Sequence, residues 1–93
     1  IPTTKIDDEQ VIKVLQIHSS VLQQLGRLRD AREKLEVALK LDGNHVETYY
    51  RLAEVHMAAN NVSGATIAIR QTLALSPQHQ AALQLSQRIP VAQ

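Results

Sequence analysis

The feature that most constrains this chain is an internal repeat with a period of 34 residues. Segment 26–45 aligns with segment 60–79 when it is moved forward by 34 positions. The identical pairs fall at apolar or turn positions and are Ala31 with Ala65, Leu39 with Leu73, Leu41 with Leu75, and His45 with His79. A period of this length with two helical patterns in each unit is typical of a helical repeat array.

Apolar residues recur three and four positions apart in five stretches, and this spacing predicts five helices. The predicted helices cover residues 8–25, 28–41, 45–59, 62–75 and 77–88. Asp7 or Asp8 is expected to cap the first helix, and Ser76 with Pro77 is expected to begin the fifth. Gly43 is expected to end the second helix in the left-handed conformation.

Each helix is expected to pack through its apolar positions. In the first helix these are Val11, Val14, Leu15, Ile17, Val21, Leu22 and Leu25, and in the fifth they are Ala82, Leu83 and Ile89. Ser86 and Gln87 stand where the second unit has Leu52 and Ala53. Because its outer side is polar there, the fifth helix is predicted to be a solvent-facing capping helix.

The composition narrows the class of protein. Apolar residues make up 44% of the chain but aromatic residues only 2%, so the core must be built from aliphatic side chains. The net charge of +1 provides no long-range field for polyanions. No stretch reaches the ~20 apolar residues that cross a bilayer, so no direct membrane insertion is expected. Because it starts without Met, we expect a domain of a larger protein. We expect this domain to be soluble and either cytoplasmic or periplasmic, with the compartment left open.

No catalytic or metal-binding pattern is found in the sequence. The chain has no cysteine, and its four histidines are not spaced as ligand pairs. His18-Ser19-Ser20 lacks a third orienting group, and adjacent helical residues point in different directions. We therefore predict that the protein is not an enzyme and that it uses no cofactor and no metal.

The repeat unit resembles the tetratricopeptide repeat family, with small residues at unit positions 8, 20 and 27. The first unit, about 12–45, has Ser19, Ala31 and Ala38 there, and the second, about 46–79, has Ala53, Ala65 and Thr72. The resemblance covers residues 8–89, with a capping helix at about 77–89, a lead-in at 1–7 and a tail at 90–93. It implies an all-α, right-handed solenoid of two helix-turn-helix repeats and a capping helix.

The resemblance also implies a concave groove lined by the first helix of each unit, in which a protein or peptide partner binds. In the first unit its positions are Lys13, Gln16, Ile17, Ser20, Gln23 and Gln24. In the second they are Glu47, Tyr50, Arg51, Glu54, Met57 and Ala58, and the capping helix would add Ala81, Gln84, Leu85 and Arg88. Ile17, Tyr50, Met57 and Leu85 are expected to be exposed, although Ile17 and Leu85 could instead pack on another part of a longer chain.

Three functions follow in order of preference. The first is a protein–protein interaction module of a scaffold or assembly protein. It lacks the carboxylate clamp of some family members, since Gln16 and Ser20 replace the Lys and Asn of that motif. The second is a structural spacer or self-associating module, so a homo-oligomer is possible. The third, a helical-repeat RNA binder, is disfavoured by Glu47 and Glu54 in the groove and by the low net charge; we predict no nucleic-acid partner.

Overall fold

The structure of the chain, a computed structural model, describes residues 7–89, and this part is built from α-helices. The helices are α1 (Asp8–Gln24), α2 (Leu28–Leu41), α3 (Val46–Ala58), α4 (Val62–Leu75) and α5 (Gln80–Arg88). The all-helical prediction is confirmed, whereas the right-handed sense of the solenoid stays a prediction. Residues 1–6 of the predicted lead-in and the predicted tail at 90–93 lie outside the described residues.

Local side-chain bonds explain where α1 and α4 begin. Asp7 Oδ1 accepts the Gln10 backbone N–H at 2.9 Å, and Gln10 Oε1 accepts the Asp7 N–H at 3.3 Å. This reciprocal pair satisfies two N–H groups that otherwise have no partner in the first turn. At α4, Asn61 Oδ1 accepts the Gly64 N–H at 3.0 Å. Both helix starts are therefore encoded locally.

The second helix ends at Leu41 as predicted, but the predicted conformation of Gly43 and the predicted start of the fifth helix are wrong. The left-handed backbone positions are Gly26 (φ 80°) and Asn60 (φ 60°), whereas Gly43 has no positive φ. The fifth helix begins at Gln80 and not at Pro77, with His79 as its N-cap. The reason is that residues 76–79 form a turn, in which the His79 N–H donates to the Ser76 carbonyl at 3.1 Å.

The helices pack in chain order. The most extensive contacts join α1 with α2 and α3 with α4, while α2 also packs on α3 and α5 packs on α4. Since short turns join consecutive helices, the arrangement is two hairpins followed by one closing helix. The side chains without any exposed surface are Ala31, Leu35, Ala38, Thr48, Ala53, Ala65, Thr72 and Ala82. Small residues dominate this set because they let neighbouring helix axes approach closely.

The predicted packing face of α1 is only partly correct. Leu22 is buried, and so is Ser19, as its small-residue position in the repeat implies, while Ile12 is buried although it was not assigned to that face. By contrast, Val14 is 64% exposed, Val21 48% and Leu25 67%. Ser19 is satisfied in the core because its hydroxyl donates to the Gln16 carbonyl at 2.8 Å. Apolar residues lie on two sides of α1, and the spacing alone does not show which side meets α2.

The tightness of the alanine contacts can be tested on α4. Ala65 has no exposed surface, so Ala65→Leu should lower the free energy of unfolding by ~1–3 kcal/mol through overpacking. Ala74→Leu on the exposed side of the same helix is the matched control and should change stability by less than ~0.5 kcal/mol. Urea denaturation of both variants makes the comparison. Equal stability of the two variants would contradict the packing described above.

Gly64 in α4 makes room for a side chain of α3. A Cβ at this position would lie 2.6 Å from His56 Nδ1 and 2.8 Å from Asn61 Nδ2. These two atoms are themselves 3.2 Å apart, as a hydrogen bond requires. Burial, and secondarily the nearby Arg32 charge, lowers the pKa of His56 below its ordinary value, which favours the neutral imidazole. The glycine therefore serves packing between α3 and α4.

This packing predicts an unusual response to Gly64→Ala. In an open helix interior the substitution stabilises by roughly 0.5–1 kcal/mol, but here it should destabilise because the new methyl group displaces His56 and Asn61. The penalty should shrink in the double variant His56→Ala/Gly64→Ala, and thermal melting of the four proteins in the cycle measures the coupling. A stabilising effect of Gly64→Ala alone would show that the imidazole moves away freely.

Candidate functional site

One side of α1 and α3 forms a shallow depression of about 350 Å³. Its lining residues are Lys13, Gln16, Ile17, Ser20, Val21 and Gln24 of α1 and Arg51 of α3. All of them except Val21 were assigned to the groove from the sequence, and Val21 was assigned to the packing face. The structure therefore brings these predicted residues together on one surface.

The depression combines an apolar patch with polar and cationic groups. Ile17 is 66% exposed there and adjoins the exposed Val21. Gln16 and Gln24 contribute amide groups, and Lys13 and Arg51 contribute positive charge. Such a surface can cover an aliphatic side chain and at the same time donate hydrogen bonds to a carbonyl or carboxylate group.

Contacts between α1 and α3 hold part of the depression in place. Gln16 Nε2 donates to the hydroxyl of Thr48 at 3.3 Å, and Thr48 is fully buried in α3. Because this bond joins the two helices directly, the Gln16 side chain is ordered before any partner arrives.

Arg51 is held only weakly by its own helix. Its Nη1 lies 3.9 Å from Glu54 Oε1, beyond hydrogen-bonding distance, and its Nε is buried without a hydrogen-bond partner among residues 7–89. The side chain keeps 41% of its surface exposed. The guanidinium therefore retains donors for an anionic or carbonyl partner.

The other five predicted groove residues of α3 lie outside the lining of the depression, and they are Glu47, Tyr50, Glu54, Met57 and Ala58. Tyr50 and Met57 are half-buried and pack against the core, so the prediction that they are freely exposed is wrong. Burial, followed by the Glu54 carboxylate, raises the pKa of Tyr50 above its ordinary value. Glu47 instead bonds to His79, whose ring lies 5.1 Å from that of Tyr50.

The predicted contribution of α5 divides into two parts. Gln84 and Arg88 are exposed, but neither lines the depression. Leu85 is only 8% exposed and belongs to the core, so its assignment to an exposed groove is wrong. The physical reason is that α5 has only nine residues and buries Ala82 and Leu85 to pack onto the array.

Two histidines at equivalent repeat positions link α3 to α1 and α5 to α3, a contact that the sequence analysis did not predict. His79 Nδ1 accepts the Ala82 N–H at 3.1 Å, and His79 Nε2 lies 2.7 Å from Glu47 Oε1. Since Nδ1 accepts, the ring proton is on Nε2 and is donated to the carboxylate. His45 is the N-cap of α3, and its Nε2 is 3.5 Å from Glu9 Oε1. The histidine that recurs at the repeat period was the signal from which these contacts could have been predicted. Their partners do not recur at that period, because Glu47 is 32 residues from His79 and Glu9 is 36 residues from His45.

Replacing His79 should test this link. His79→Ala removes the N-cap bond and the bond to Glu47, so the free energy of unfolding should fall by ~1–2 kcal/mol. His79→Asn is the matched control, because asparagine caps a helix but is too short to reach Glu47, and it should recover part of the loss. Chemical denaturation compares the variants. If His79→Ala unfolds at the wild-type urea concentration, the histidine link adds nothing to stability.

The other constellations considered in the sequence do not form reactive sites. Ser19 is buried and donates to the Gln16 carbonyl, while its neighbour His18 is exposed. Within residues 7–89 no group of three or more His, Asp or Glu side chains is arranged to hold a metal ion. None of the helices in the described part is both long and apolar enough to span a membrane.

Two stacked helix hairpins with small residues at their contacts place the chain among the α-helical repeat proteins. A family model described as the tetratricopeptide repeat matches residues 22–89, which is more than half of the chain. The chain belongs to the tetratricopeptide repeat family. None of the curated proteins compared with it matches. Repeats of this family are generally protein–protein interaction modules and are typically not enzymes.

Proposed function

We propose that the chain is a non-catalytic interaction module that binds a peptide, helix or partner domain in the depression between α1 and α3, as part of a larger scaffold or assembly protein. The observation that carries this proposal is the convergence of exposed aliphatic, amide and cationic side chains on one surface. Binding sites combine such an apolar contact area with a few placed polar groups.

The chemistry of the depression indicates the kind of segment that it accepts. Ile17 and Val21 provide an apolar contact for one aliphatic or aromatic side chain of the ligand. Arg51 has a guanidinium that its own helix does not fully engage, and Lys13 lines the same surface. The preferred ligand is therefore a segment with an apolar anchor next to an acidic residue or a chain carboxylate.

The proposal can be tested without knowledge of the natural partner. Random peptides displayed on phage are selected on the immobilised chain, and the enriched peptides are synthesised and titrated by fluorescence anisotropy. Arg51→Ala should weaken their binding about tenfold or more, because charge-assisted hydrogen bonds contribute ~1.5–3 kcal/mol. Ile17→Ser should weaken it as well, since it removes the apolar contact.

Each variant has a matched control on another surface. Arg70→Ala changes an exposed arginine of α4, and Ile67→Ser changes an isoleucine that is 61% exposed on the same helix. Both controls should bind the peptides as tightly as the wild-type chain. Equal weakening by Arg70→Ala and Arg51→Ala would show that binding follows net charge rather than this depression, and absence of any enriched peptide would also count against the proposal.

A further inference from the structure

A second exposed surface runs along α1 beside the depression. Val14, His18, Val21 and Leu25 follow one another at spacings of four, three and four residues and form one helix face, which we call the α1 seam. Val14, Val21 and Leu25 are 64%, 48% and 67% exposed, and His18 is exposed as well. Three exposed aliphatic side chains on one helix face are an unusual feature for a surface that stays in water.

The repeat shows what covers this face elsewhere in the molecule. Moved forward by 34 positions, the first three seam residues become Thr48, Leu52 and Val55 of α3, which are only 0%, 7% and 2% exposed. The α3 helix packs on the preceding helix, α2, and α5 packs in the same way on α4. The equivalent face of α1 has no preceding helix among the described residues. In this fold the seam is therefore the position of a helix–helix contact.

The two ends of the array do not match each other. The exposed residues of α5 are mainly polar, with Gln84, Gln87 and Arg88 facing solvent. Leu83, which was predicted to lie on the packing side of α5, is 37% exposed, and it is the one large aliphatic side chain that this helix exposes. A second copy that stacked its seam on α5 would therefore make little apolar contact, which disfavours a head-to-tail chain of copies. The surface best matched to the α1 seam is the same seam on another molecule, and an isologous contact of this kind closes as a dimer.

We propose that two copies of this chain pair through their α1 seams, with the helices antiparallel about a two-fold axis near residues 19 and 20. In this register Val14 of one copy faces Leu25 of the other, and His18 faces Val21. The alternation of three and four residues suits packing of knobs into holes. The pairing buries the exposed aliphatic side chains that the monomer leaves in water.

The charges near the seam permit this pairing. Between Val11 and Leu25 the helix carries no carboxylate, and Lys13 is its only lysine or arginine. In the antiparallel register Lys13 lies opposite Gly26 of the other copy, so the two lysines are at opposite ends of the contact. Arg27 and Asp30, whose charged atoms are 2.6 Å apart, stand at the border as a neutralised polar pair. The contact therefore places Val14, Val21 and Leu25 with His18 between them, and a neutralised polar pair stands at its border, as is usual at the rim of stable interfaces.

The proposed dimer and the proposed groove overlap but can be tested separately. Val21 belongs to both surfaces, and Ile17 of the depression is next to the seam, so pairing would narrow access to the depression. Val14 and Leu25 do not line the depression. Variants at Val14 and Leu25 therefore probe pairing, whereas variants at Arg51 probe ligand binding.

Sedimentation equilibrium over a wide concentration range tests the pairing. The wild-type chain should form a dimer, and Val14→Gln/Leu25→Gln should raise its dissociation constant at least about tenfold. The control Val37→Gln/Ile67→Gln replaces two aliphatic residues that are 44% and 61% exposed on α2 and α4, and it should dimerise like the wild type. Circular dichroism verifies that both variants fold. A monomer at all concentrations, or a dimer that the seam variant leaves unchanged, would overturn the proposal.

Single cysteines report the register, because the chain has none of its own. In the antiparallel pair the two copies of residue 21 are three helical positions apart, or ~4.5 Å along the axis. Val21→Cys should therefore form a disulfide-linked dimer quickly on mild oxidation. The two copies of residue 25 are eleven positions apart, ~16.5 Å, so Leu25→Cys should not. Rapid cross-linking of both variants would indicate parallel helices and contradict the proposed register.

Discussion

The close approach of helices at small residues is the constraint on which the rest of the structure depends. Ala31, Ala53, Ala65 and Ala82 have no exposed surface, and each lies on a different one of the helices α2 to α5. A small side chain at a crossing lets the helix axes come together, so the larger aliphatic residues beside it can interdigitate. The array therefore has a continuous core although the chain contains no Phe and no Trp. The same packing aligns α1 beside α3 and creates the depression on their shared side.

Polar contacts refine this arrangement. Gln16 reaches from α1 to the buried Thr48 of α3, and the histidine N-caps of α3 and α5 reach back to a glutamate of the preceding first helix. The packing contact between α1 and α3 is small, and α3 and α5 have no substantial one, so these bonds join helices that pack little on each other. They hold α1, α3 and α5 in position relative to one another. The depression is lined by side chains of α1 and α3. Contacts within the array thus position Gln16 and the helices that carry the lining, whereas the Arg51 side chain is held only weakly.

The sequence was most informative where the repeat is regular. The 34-residue period and the small residues at Ala31 and Ala65 predicted the helices and most of their ends, and the register of the family predicted the residues that line the depression together. The faces of α1 and α5 were harder to predict, because a spacing of three and four marks an apolar stripe without showing which neighbour covers it. Val14 therefore proved exposed and Leu85 buried. The histidine–glutamate contacts were missed because their partners do not recur at the repeat period. Which partner occupies the depression stays a prediction.

We infer that a partner binds on the side that α1 and α3 share. The most direct measurement is a two-dimensional NMR titration of the ¹⁵N-labelled chain with a peptide that binds it. The largest shift changes should fall on Lys13, Gln16, Ile17, Gln24 and Arg51, while the outer sides of α2 and α4 should change little. Changes concentrated on α2 and α4 instead would contradict this inference.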